Sequence, residues 1–63
     1  MARINGEELN VSASVMEYLE KEGLKKERVA VMLNGEILPK DLYETTIIKP
    51  SDELEIVGFV GGG

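Results

Sequence analysis

Three glycines, Gly61, Gly62 and Gly63, end this 63-residue chain, and the group best placed to do chemistry is the carboxylate of Gly63. The residues before it read Glu53-Leu54-Glu55-Ile56-Val57-Gly58-Phe59-Val60, a strand-like run that stops where the glycines begin. A glycine run packs no core, because it has no side chains, and ordering it costs more backbone entropy than ordering any other residue type. What such an arm can do is enter a narrow cleft and present one carboxylate to another protein's chemistry. Three extended residues reach about 10 Å. The plain alternative is an inert end, since terminal residues are commonly poorly ordered and glycine runs also arise as linker remnants. Gly58-Phe59-Val60 leads into the glycines with no serine or polar spacer, so strand and tail read as one device.

No side chain competes with the carboxylate. The chain has no cysteine and no histidine. Disulfides, thiolate metal sites, a cysteine nucleophile, the usual general base and the commonest metal ligand are therefore excluded. No metal and no bound cofactor are expected, and with no nucleophile–base pair an enzyme is a poor reading. Acidic residues outnumber basic ones twelve to seven, a net charge of -5. That balance argues against nucleic-acid and anionic-membrane partners, which want a basic surface, and favours a basic protein partner. No apolar run approaches the ~20 residues that span a bilayer, and the first residues lack the features of a signal peptide. The expected compartment is the cytoplasm.

The elements that must hold the arm out follow from turn and cap chemistry. Asn5-Gly6 signals a type I′ hairpin, with strands expected near Ala2 to Ile4 and Glu8 to Val11. Leu9 and Val11 alternate with polar neighbours, as on a half-buried strand. Ser14 with Glu17 makes a capping box, Ser12 being a competing cap. Val15, Met16 and Leu19 then form the apolar stripe of a helix that ends at Gly23. Lys25-Lys26-Glu27-Arg28 reads as a solvated connector. The run Val29 to Leu33 reads as a central strand buried on both faces, and Asn34-Gly35 as a second hairpin turn. Pro39 marks a sheet edge or strand end. One helical turn over Lys40 to Tyr43 would tuck Leu42 and Tyr43 under the sheet. Thr45 to Ile48 is short and β-prone, and Lys49-Pro50-Ser51-Asp52 is a turn.

The last strand is expected from Glu53 to about Val60. Alternation puts Leu54 and Ile56 on the core face and Glu53, Glu55, Val57 and Phe59 on the other. That outer face turns from charged to apolar next to the tail. Either a bulge at Gly58 rotates Phe59 inward, or Val57, Phe59 and Val60 form an exposed patch for a partner. Proximity to the tail favours the patch. One helix on one face of a mixed sheet of four to five strands is an α+β architecture. It forms a single domain over residues 1–60, with 61–63 a flexible tail.

Taken together, Asn5-Gly6-Glu7, the Ser14-Val15…Leu19 helix start, the Val31…Leu33-Asn34-Gly35-Glu36-Ile37-Leu38-Pro39 block, the Asp52…Leu54-Glu55-Ile56-Val57 strand and the Phe59-Val60-Gly61-Gly62-Gly63 ending resemble the ThiS family of thiamin-biosynthesis sulfur carriers. That family lies in the ubiquitin-like β-grasp superfamily. The resemblance covers nearly the whole chain. Its central block and ending are fairly specific, whereas a terminal Gly-Gly alone is common to ubiquitin-like carriers and modifiers. It implies that a ThiF-like enzyme adenylates the Gly63 carboxylate with ATP and Mg. Sulfur from a cysteine-desulfurase-derived persulfide then makes a thiocarboxylate, which passes sulfur to a ThiG-like thiazole synthase. The carrier itself catalyses nothing. Gly61 and Gly62 would keep the arm thin enough for the activating enzyme's cleft. Three terminal glycines, where many relatives have two after another small residue, and a short first strand are the departures.

The chemistry agrees. A C-terminal carboxylate is ionised at neutral pH and inert as an electrophile until a leaving group is supplied, and a mixed anhydride with AMP supplies one. Alternatives with the same activation are a molybdopterin-synthase small subunit, a carrier for tRNA thiolation, and a ubiquitin-like modifier that joins target lysines. An interaction domain with an inert tail is the remaining one.

Overall fold

The structure, a computed structural model, describes residues 1–58. Among them, five strands form one sheet: β1 (Ala2–Ile4), β2 (Glu7–Leu9), β3 (Val29–Leu33), β4 (Glu36–Ile37) and β5 (Glu53–Gly58). The order across the sheet is β2-β1-β5-β3-β4, with β1 parallel to β5 and the other pairs antiparallel. One α-helix, α1 (Val15–Lys21), packs on one face, and short 3-10 turns cover Lys26–Arg28 and Lys40–Leu42. This is the expected α+β, ubiquitin-like β-grasp arrangement. None of the described helices is long and apolar enough to cross a membrane.

Both Asn-Gly pairs form the two-residue turns their chemistry dictates. Asn5 and Gly6 have φ of 52° and 83°, Asn34 and Gly35 of 51° and 85°, and each pair joins adjacent antiparallel strands. Positive φ at both positions is the mark of a type I′ turn, whose twist matches that of the strands it joins. Pairing therefore starts at once, with Ile4 opposite Glu7. That shifts β2 to Glu7–Leu9 from the expected Glu8 to Val11. Val11 lies beyond the strand but still packs against the core.

The capping box forms as the residue types require. The Ser14 hydroxyl accepts from Glu17 N and the Glu17 carboxylate from Ser14 N, both at 3.0 Å. At the other end, Leu24 N donates to Leu19 O and Gly23 N to Glu20 O, the paired bonds of a Schellman motif. Between these stops, Val15 and Leu19 are buried against Ala2, Ile4, Val29, Val31 and Leu54. Tyr43, Leu38 and Ile48 close the core from the loop that carries the second 3-10 turn.

Three expectations fail, the first because the helix layer covers one face only. β3 is not buried on both faces. Val29 and Val31 are buried, while Ala30 and Met32 on the other face are half-buried. Leu42 is not tucked under the sheet but is 44% exposed, whereas its neighbour Tyr43 is 1% exposed. The β-prone Thr45 to Ile48 makes a single bridge, Ile47 to Ser14, and buries only Ile48.

Candidate functional site

β5 is the central strand and the one that leads to the tail. Its pairing with β3 runs without interruption from Leu33–Leu54 to Val29–Gly58. A bulge would put two residues opposite one, and every rung here pairs one with one. No bulge interrupts the ladder up to Gly58, and the outer face stays outward as far as the described residues go; Phe59, which the expected bulge would rotate, lies outside them. Val57 is 55% exposed and stands opposite Ala30.

Cross-strand partners share a face, so the pairing assembles a surface. Val57 lies beside Ala30; two rungs along, Glu55 pairs with Met32, and Met32 pairs in turn with Ile37 on β4. Ile37 is 76% exposed, more than any other large apolar side chain among the described residues. Ala30, Met32, Ile37 and Val57 thus form an apolar area at the tail end of β5. Towards the start of the strand the same face is charged. Arg3 contacts Glu8 at 3.4 Å and Glu53 at 4.0 Å, all three well exposed. Exposed pairs of this kind contribute little stability, and with Glu55 they put three carboxylates beside the apolar area.

Of the expected partner-surface residues, Val57 is exposed on the outer face of β5. Phe59 and Val60, Gly61 and Gly62, which were expected to enter a cleft, and Gly63, expected to carry the sulfur, lie outside the described residues. Ile37 and Met32 were missed by sequence reasoning. The signal was present: a two-residue turn at Asn34-Gly35 fixes Leu33 opposite Glu36 and hence Met32 opposite Ile37. Reading β3 as buried on both faces hid it.

The two turn asparagines grip β5 from opposite edges. On the β3 side, Asn34 N donates to Glu53 O at 2.7 Å, and Asn34 Oδ1 accepts from Glu53 N at 2.9 Å. On the β1 side, Asn5 N donates to Leu54 O at 2.9 Å, and Asn5 Oδ1 accepts from Ile56 N at 2.8 Å. Lys40 Nζ donates to Lys26 O in the charged connector and to Val29 O at the start of β3, both at 2.6 Å. That segment is thereby tied to the second 3-10 turn. Among the described residues no cluster of carboxylates could hold a metal ion.

The sequence profile of the ThiS family matches residues 2–63. The chain is 48% identical over 62 residues to a thiazole synthase of Paramagnetospirillum magneticum, covering 95% of this chain but 19% of that protein. The chain thus spans about a fifth of the length of that relative. It is 39% identical to the uncharacterised protein ycf40 of Pyropia yezoensis, covering 97% of this chain and 89% of that one. Among solved structures it is similar to the crystal structure of the thiamine biosynthesis protein ThiS from Geobacter metallireducens. The TM-score there is 0.76 at 33% identity, over 98% of this chain and 97% of that one. The solution structure of a thiamine biosynthesis protein from the same organism matches with a TM-score of 0.77 at 34% identity, over 98% and 86%. Profile, identity and fold agree over nearly the full chain, and the chain belongs to the ThiS family.

Proposed function

We propose that this chain is a sulfur carrier for thiazole formation in thiamin biosynthesis, acting through the carboxylate of Gly63. The observation that carries the reading is a family match that runs through the terminal glycines to residue 63, on a chain with no cysteine to carry sulfur in any other way. A ThiF-like enzyme, using ATP with Mg, converts the Gly63 carboxylate to an acyl-adenylate and releases pyrophosphate. The terminal sulfur of a cysteine persulfide attacks the acyl carbon, and AMP leaves. A thiol then cleaves the resulting acyl disulfide and frees the thiocarboxylate. The carrier contributes no catalytic group; it supplies a thin arm and a docking face. Val57 belongs to that face, beside Met32 and Ile37.

A thiazole synthase is the proposed sulfur acceptor. The P. magneticum relative supports this, because it is named for that activity and matches this chain over part of a much longer protein. A cytoplasmic location fits the same set of partners.

Intact-mass spectrometry tests the reading. The chain is incubated with ATP and Mg, a ThiF-like enzyme and a persulfide source. The expected result is a mass gain equal to exchanging one oxygen for sulfur, mapped to Gly63, and its loss when Gly63 is deleted. Conjugation to lysines of other proteins instead would assign the chain as a modifier, and no change with an active enzyme would leave an inert tail.

A further inference from the structure

We propose that Asn5 is a positioning residue for the end of β5 that precedes the tail: its side chain extends the β1–β5 ladder past the point where β1 turns away, and so holds Ile56 in the strand from which the tail follows. This rests on the carrier reading above. The backbone pairing of β1 with β5 ends at Ile4 opposite Leu54. At Asn5 the chain swings into the hairpin with φ of 52°. From Ile56 onward β5 would have no strand on that side. The Asn5 carbonyl oxygen fills the next rung, accepting from Ile56 N at 2.8 Å across 51 residues of sequence. An unsatisfied strand N–H would go to water instead, leaving this stretch of β5 held by β3 alone.

The site also explains the residue type. The turn needs positive φ, which glycine meets better than asparagine. Glycine cannot supply an acceptor, and asparagine does both. Asn34 uses the same chemistry on the opposite edge, but it holds Glu53, at the far end of β5 from the tail. Its amide also donates to Asp52 Oδ1 at 3.1 Å, so it is an internal control that loses at least as many bonds at a different position.

A carrier whose arm is aimed before docking loses less freedom on binding. Releasing Ile56 should thus raise the KM for the carrier and leave kcat intact, because the enzyme's cleft aligns the arm once it is seated. The test compares full-length wild type with N5G, N5D and N34G. N5G keeps the turn and deletes the acceptor, and N5D restores an acceptor. Two readouts are taken: amide hydrogen exchange at Ile56, and steady-state pyrophosphate release with a ThiF-like adenylating enzyme, ATP with Mg, a persulfide source and a thiol to discharge the acyl-adenylate.

The expected N5G result is exchange at Ile56 faster by about tenfold and a carrier KM higher by about fivefold, the scale of one hydrogen bond, at unchanged kcat. N5D should return both towards wild type, and N34G should leave KM unchanged although it destabilises the domain. Unchanged KM in N5G, or an equal rise in N34G, overturns the proposal. If wild type itself releases no pyrophosphate, the carrier reading fails first. Unchanged Ile56 exchange in N5G overturns the clamp by itself, whatever the kinetics show.

Discussion

Met32 and Ile37 stand opposite each other across β3 and β4, on the face of the sheet that α1 does not cover. An isoleucine 76% exposed at that position contributes little to the core. Its replacement by serine should change unfolding free energy by no more than about 0.5 kcal/mol, as for surface substitutions generally. If the face docks the adenylating enzyme, I37S should raise the carrier KM by about tenfold, as loss of an apolar interface anchor does. Urea unfolding and steady-state kinetics on the same preparation separate the two effects. A large stability loss with unchanged KM would place Ile37 in the fold and not in the interface.

The Ser14–Glu17 pair carries a second expectation. Ser14 is 5% exposed, and its hydroxyl is the acceptor for Glu17 N. S14A removes that acceptor and should cost about 1 kcal/mol. In a domain this small that is a fall of about 4–8 °C in Tm. Thermal unfolding by circular dichroism checks it, and an unchanged Tm would show that water replaces the hydroxyl.

Tyr43 sets an alkaline limit. Burial raises the pKa of its phenol above the usual 10.0, against a smaller opposing effect of the Val31 backbone. The folded state therefore keeps the proton to higher pH than the unfolded chain does. The stabilisation is complete below the unfolded value, and it is lost as pH rises from there through the raised folded value. Tyr18 acts in the same direction, through burial first and then Glu22 and Glu7. Denaturant midpoints should thus fall above pH 10, and Y43F should flatten the fall while leaving the Tyr18 part. A pH dependence identical in Y43F and wild type would refute the assignment.

Most of the fold was legible because local chemistry forced it. Asn5-Gly6 and Asn34-Gly35 admit the type I′ turn readily, Ser14-x-x-Glu17 names its own helix start, and Leu54 alternating with Glu53 and Glu55 sets the face of β5. What was not legible depended on which layer covers which face. Five apolar residues in a row at Val29 to Leu33 suit a strand covered twice as well as one covered once. Only the presence of a single helix layer decides for the second, and with it the exposure of Met32 and Ile37. The Asn5–Ile56 bond was beyond reach for another reason. It joins residues 51 apart, and nothing in a turn sequence says which distant N–H its side chain will meet.

Gly58 separates demands of the fold from demands outside it. A glycine inside a strand weakens it, by roughly 0.5–1 kcal/mol against alanine. Such glycines usually mark a bulge or a close approach. Among the described residues neither is found: the register through Val29–Gly58 is regular, and a Cβ built on Gly58 would meet nothing within 4 Å. Nor is Gly58 among the residues with positive φ. G58A should therefore raise the denaturant midpoint, by an amount worth about 0.5 kcal/mol, since alanine also narrows the unfolded ensemble. Equilibrium unfolding in urea measures this directly. A loss of stability would mean that the end of β5 needs a twist that alanine resists, and the regular ladder to Val29 would then be strained at its last rung.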